Sequence, residues 1–143
     1  MRILFDTNIV LDFLGKREPF TKNADALINL CVNGEAIGCI AAHTIPDVFY
    51  ILRKQFTIDT RRSIILDLCK IVSIVGIETQ ILISALKNQN FSDFEDCLQY
   101  ECAKKSDADY IVTRDPKGFP NSEIPVIDPV DLLRKVLPGT KTE

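Results

Sequence analysis

Ile3-Leu4-Phe5-Asp6-Thr7-Asn8, near the start of the 143-residue chain, is an apolar run that stops at a carboxylate. A short apolar run ending in a polar turn reads as a strand buried on both faces. The pattern returns in Ala36–Ile40, in the β-branched run Ile71–Val75, in Tyr110-Ile111-Val112-Thr113 and in Val126-Ile127. Helical spacing lies between these runs. Ala24, Leu27, Ile28 and Cys31 predict a helix over 20–33 that Asn33-Gly34 ends, and Ile45, Val48, Phe49, Leu52 and Phe56 predict one over 44–56. Further helices are expected over 59–69, 80–87, 93–105 and 130–137, with a turn-rich loop at Pro116–Pro120. Short strands alternating with helices predict the α/β class, with a central parallel sheet of about five strands covered on both faces.

Such sheets bind ligands at the carboxyl ends of their strands, which gives the acids their meaning. Asp6 follows the first strand, and Asp115 follows the fourth in Thr113-Arg114-Asp115. Asp47 lies in the first turn of the helix after the second strand. The helix beginning at Asp93 leads into the fourth strand and runs antiparallel to it, so Asp96 starts near that strand's carboxyl end. Four acids distant in sequence are thus expected on one edge. Converging carboxylates repel one another, and a hard divalent cation such as Mg²⁺ or Mn²⁺ relieves the repulsion. Such an ion activates water and stabilises the charge that develops in phosphodiester cleavage.

Each acid also has an ordinary structural reading. Asp6 caps the helix that follows, Asp93 caps the next acidic helix, Asp96 and Asp47 sit favourably in first turns, and Asp115 before Pro116 is a turn residue. The convergence is what favours a site. Asn8 and Thr113 are placed behind the ligands as hydrogen-bonding partners. Asp12 and Glu95 are read as facing solvent or standing behind the site, and His43, the single histidine, as structural.

Composition narrows the alternatives. Hydrophobic residues make up 46% and charged residues 26%, and the net charge is −3, which argues against a purely electrostatic nucleic-acid binder. Setting Asp6, Asp47, Asp93, Asp96 and Asp115 aside as site acids turns −3 into +2 for the remainder. The pairs Lys16-Arg17, Arg53-Lys54, Arg61-Arg62 and Lys104-Lys105 most simply decorate solvated faces. Arg114 and Lys117 flank an acid on the active edge and are the candidates for phosphate contact. The five cysteines are odd in number and lie in apolar stretches without a C-x-x-C spacing, so they read as buried thiols in a reducing cytoplasm rather than as a zinc site. No segment is apolar long enough to span a membrane, and Met1–Phe5 enters structured sequence without room for a signal peptide. A nucleophile elbow and a phosphate-cradling glycine loop are both missing. A phosphatase using Asp6 as nucleophile generally carries a second Asp two residues on, where Asn8 stands.

Ile3-Leu4-Phe5-Asp6-Thr7-Asn8 with Leu11-Asp12, Asp93-Phe94-Glu95-Asp96 with Leu98-Gln99, and Tyr110-Ile111-Val112-Thr113-Arg114-Asp115 with Phe119 together resemble the PIN-domain family across nearly the whole chain. The resemblance implies a Rossmann-like α/β/α sandwich forming a single PIN-like domain over 1–137; the C-terminal tail, 138–143, is expected to be loose. It also implies a Mg²⁺- or Mn²⁺-dependent endoribonuclease, similar to the bacterial toxin-type (VapC-like) members. Asp6, Asp47, Asp96 and Asp115 would carry the metal site, with Asp93 as an extra acid. The expected partners are RNA as substrate, an antitoxin protein and a second copy in a homo-oligomer, with no membrane. One departure stands out: the family's second acid is usually Glu, and Asp47 in Ile45-Pro46-Asp47 reaches roughly 1.5 Å less far. The basic turn Lys117-Gly118-Phe119 also stands where an acid is often found. The alternative reading is therefore a PIN-like RNA- or protein-binding module with a weakened or inactive metal site.

Overall fold

The computed structural model describes residues 1–137. The sheet consists of β1 (Arg2–Phe5), β2 (Ile37–Ala41), β3 (Ser73–Val75), β4 (Tyr110–Val112) and β5 (Val126–Ile127), in the spatial order β3-β2-β1-β4-β5. Every pairing is parallel; Ile3 lies opposite Gly38 on one side and Tyr110 on the other. The chain steps outward from β1 through β2 to β3, then returns to β4 on the far side of β1. This reversal opens a crevice between the carboxyl ends of β1 and β4, the place where open parallel sheets bind ligands.

The helices are α1 (Thr7–Leu14), α2 (Thr21–Val32), α3 (Thr44–Ile51), α4 (Ile58–Cys69), α5 (Thr79–Lys87), α6 (Phe94–Lys105) and α7 (Pro129–Val136). Successive strand residues point to opposite faces, and the core divides accordingly. Ile3, Phe5, Ile40 and Val112 pack with buried residues of α1, α2, α3, α4 and α7. Leu4, Cys39, Ala41 and Ile111 pack with those of α5 and α6 on the other side. Ile3, Leu4 and Phe5 are completely buried, each side chain contributing about 1.5–3 kcal/mol. The reversal at β1 explains the two layers, because right-handed crossovers in opposite directions place their helices on opposite faces.

Several expected boundaries moved. The helix expected over 44–56 is α-helical only to Ile51 and then tightens into a 3-10 turn, Leu52–Lys54. Arg61 Nη1 donates to the Phe49 carbonyl there. The strand expected over Ile71–Val75 starts at Ser73 because the amides of Ile71 and Val72 are used closing α4 onto Leu68. Helix α1, given no bounds from sequence, is buried on most sides. Gly34, just past α2, has φ +75, a conformation suited to glycine at a helix end. Cys69 is exposed and Cys31 partly so, while Cys39, Cys97 and Cys102 are buried. Among the described residues no helix is long and apolar enough to cross a membrane. The expected tail, 138–143, lies outside the described residues.

Candidate metal centre

Asp6 is the N-cap of α1 and is 8% exposed. Its Oδ1 accepts from the Thr7 amide at 2.8 Å, and its Oδ2 accepts from the Thr113 hydroxyl at 2.8 Å. Asn8 Nδ2 lies 3.1 Å from Thr113 Oγ1 and 3.5 Å from Asp6 Oδ2. The Thr113 hydroxyl also accepts the Asp115 amide at 3.0 Å. A single hydroxyl at the end of β4 thus orients the carboxylate at the end of β1 and holds the turn that carries Asp115. Burial pushes the Asp6 carboxyl above its ordinary range, more than the hydrogen bonds from Thr113 and Thr7 pull it back.

Asp96 sits in the first turn of α6, with Asp93 as N-cap accepting the Asp96 amide at 3.1 Å. One Asp93 oxygen is therefore spent on the cap. Desolvation first, then the charges of Asp93, Asp6, Glu95 and Asp115, push the Asp96 carboxyl up to about 7. Asp115 is exposed on the turn after β4. The 3-10 turn Pro116–Gly118 lies so close that a Cβ on Gly118 would meet Asp96 Oδ2 at 2.6 Å and Asp115 Oδ2 at 3.7 Å. Glycine lets this turn rest against Asp96 without displacing its carboxylate. Asp6, Asp96 and Asp115 thus lie near enough at the crevice between β1 and β4 for their charges to act on one another.

Asp47 stands slightly apart. A carboxylate oxygen from it, one from Glu95 and a ring nitrogen of His43 lie within 4.8 Å of one another. Desolvation and the neighbouring Asp47 raise the Glu95 carboxyl, while burial lowers the His43 imidazole. Thr7 Oγ1 donates to Glu95 Oε1 at 3.3 Å. Fully buried Gln99 donates through Nε2 to the hydroxyls of Thr7 and Thr44, both at 3.1 Å, tying α1, α3 and α6 together beneath the acids. Sequence reasoning set Glu95 and His43 aside and missed Gln99. The i, i+4 spacing of His43 and Asp47 was the available signal.

The cations divide. Arg114 is not a free surface charge: its Nε and Nη2 meet Asp12 Oδ2 and Oδ1 at 2.6 and 3.2 Å, and its guanidinium lies 3.8 Å from the Phe20 ring centroid. Asp12, expected to face solvent or stand behind the site, is 1% exposed, which corrects the solvent-facing option. A buried carboxylate demands a cation, and Arg114 supplies it. Lys104 pairs with Glu101 and Lys105 with Glu78, at the end of α6 remote from the acidic edge. Arg61 is buried and donates to the carbonyls of Phe49 and Thr57. Lys117 is exposed beside Asp115 and has no ion pair among the described residues.

The comparisons with known proteins agree with this architecture. Ribonuclease VapC1 of Aquifex aeolicus is 27% identical over 133 residues, covering 88% of this chain and 89% of its own. The structure of VapBC-1 from nontypeable Haemophilus influenzae superposes with a TM-score of 0.68 at 18% identity, covering 91% of this chain and 99% of its own. Mycobacterium tuberculosis VapC20, described as a sarcin-ricin-loop-cleaving toxin, gives 0.60 at 11% identity over 76% of this chain and 86% of its own. At these identities the two structures establish likeness of fold. A model of the PIN domain matches residues 2–117, from the first strand to the turn that follows Asp115, and the chain belongs to the PIN domain family.

Proposed function

We propose that this protein is a divalent-metal-dependent endoribonuclease, acting as the toxin of a toxin–antitoxin pair. The observation that carries the reading is the crowding of charge from Asp6, Asp96 and Asp115 at the β1/β4 crevice, where the Asp96 carboxyl is displaced to about 7. A fold gains nothing from crowding carboxylates unless a cation offsets their repulsion. The donor set is all oxygen, as Mg²⁺ and Mn²⁺ prefer. Asp6, Asp96 and Asp115 would hold the ion, with Asp47 and Glu95 adjoining. Asp93 serves mainly as the cap that aims α6 at the site.

A bound divalent ion supplies Lewis acidity toward the phosphodiester and lowers the pKa of water in the site. The chain's own residues do the positioning. The Thr7 amide and the Thr113 hydroxyl fix both oxygens of Asp6. Gly118 lets the turn press Asp115 toward Asp96. Lys117 contacts a substrate phosphate, whereas Arg114 works by holding the turn through Asp12. The relative named as a ribonuclease supports RNA as the substrate class. VapBC complexes among the solved relatives support an antitoxin partner. A homo-oligomer acting in the cytoplasm completes the reading. Glu95 beside Asp47 offers a second carboxylate where the shorter Asp side chain falls back, which argues against a decayed site.

The direct test incubates purified protein with structured RNAs and Mn²⁺ or Mg²⁺ and compares wild type with Asp6→Asn and Asp96→Asn. Metal-dependent cleavage by wild type alone is expected. Equal cleavage by all three proteins would exclude the proposal.

A further inference from the structure

We propose that His43, Asp47 and Glu95 form a transition-metal subsite beside the Asp6–Asp96–Asp115 carboxylates, selective for Mn²⁺ over Mg²⁺. The inference rests on the reading of this edge as a metal centre and specifies one part of it.

Three features support a built site. The ligand atoms of the three residues lie within 4.8 Å of one another. With metal–ligand bonds of about 2.1 Å, ligands on opposite sides of an ion are about 4.2 Å apart and adjacent ones about 3 Å, so small side-chain rotations close the site. Both ring nitrogens of His43 are shut off from solvent and lack a hydrogen-bond partner among the described residues. Glu95 Oε1, 3.9 Å from Nε2, is too far for a hydrogen bond. Buried polar atoms are seldom left unpaired, and a ring nitrogen within 4.8 Å of two carboxylates stands where a metal ligand would. The surroundings hold the residues in place: Thr7 donates to Glu95, and Gln99 clamps Thr7 to Thr44, the residue after His43.

Selectivity follows from the donor set. Mg²⁺ is satisfied by oxygen and dehydrates reluctantly, whereas imidazole nitrogen favours transition ions. The three carboxylates at the crevice do not discriminate in this way; the His43 corner does.

Because His43 is the only histidine, tag-free protein gives one unmistakable set of imidazole NMR resonances. Titration with MnCl₂ should broaden them together with the amides of Thr7 and Gly118, and calorimetry in saturating MgCl₂ should still register Mn²⁺ binding. His43→Gln should weaken Mn²⁺ binding roughly tenfold or more and leave Mg²⁺ binding nearly unchanged. Glu95→Gln, at an exposed position, should act in the same direction without threatening the fold. Unchanged Mn²⁺ affinity in both variants, or equal loss of Mn²⁺ and Mg²⁺ affinity, would overturn the subsite and leave the metal centre standing. Absence of broadening anywhere on this edge would remove both readings.

Discussion

Replacing Asp96 by Asn should stabilise the metal-free protein while abolishing its cleavage of RNA. The Asp96 carboxyl is displaced from 3.8 to about 7, chiefly by desolvation and then by the charges of Asp93, Asp6, Glu95 and Asp115. A carboxyl raised in the folded state binds its proton more tightly there than in the unfolded chain. Its favourable contribution is complete below the unfolded value near 4 and is lost as pH rises toward 7. The full displacement corresponds to roughly 4 kcal/mol, and solvent screening of this partly buried group reduces it to about 2 kcal/mol. For a chain of this size, that is a change in Tm of roughly 6 °C. Thermal melts in EDTA between pH 5 and 8 should show wild type losing stability across this window and Asp96→Asn losing clearly less. At pH 7.5 the variant should melt higher, and saturating Mn²⁺ should reverse the order by stabilising only wild type. Parallel pH profiles for the two proteins in EDTA would refute the claim that the fold stores carboxylate repulsion at this position.

Other perturbations test neighbouring parts of the site. Gly118→Ala places a methyl group 2.6 Å from Asp96 Oδ2, so Mn²⁺ affinity by calorimetry should fall at least tenfold, with a Tm change of only a few degrees. Thr113→Val keeps the shape but removes the hydroxyl that bonds Asp6 and accepts the Asp115 amide; cleavage should drop roughly 10–100-fold, readable as a rate in saturating Mn²⁺. Arg114→Ala strands the buried Asp12 carboxylate and should cost about 3 kcal/mol in urea unfolding. Lys117→Ala, by contrast, should leave unfolding unchanged and flatten the salt dependence of RNA binding, because its charge is exposed and free of ion pairs among the described residues.

The order of strands and helices was legible because the chain obeys both periodicities: Ile3-Leu4-Phe5 and Ile111-Val112 are apolar without interruption, and Ala24, Leu27 and Ile28 repeat with helical spacing. From that order alone, the crevice acids followed. What escaped was contact between elements that no single segment announces. Asp12 looks like a solvent-facing residue until Arg114, 102 positions later, closes on it. Glu95 and His43 each have an ordinary local reading at a helix start, and only the approach of α3 to α6 brings them together. The bounds of β3 were misjudged because Ile71 and Val72, strand-like by composition, are taken up in the last turn of α4.

The clasp of Arg114 on Asp12 and Phe20 joins the end of β4 to α1 and to the loop before α2. Its consequence reaches into divergence among relatives. Neither charge tolerates loss of the other, since one change strands a carboxylate in the core and the other leaves the turn carrying Asp115 without its anchor. Positions 12 and 114 should therefore vary as a couple, both retained or both exchanged for an apolar pair, while Lys117, three residues further on, varies independently of them.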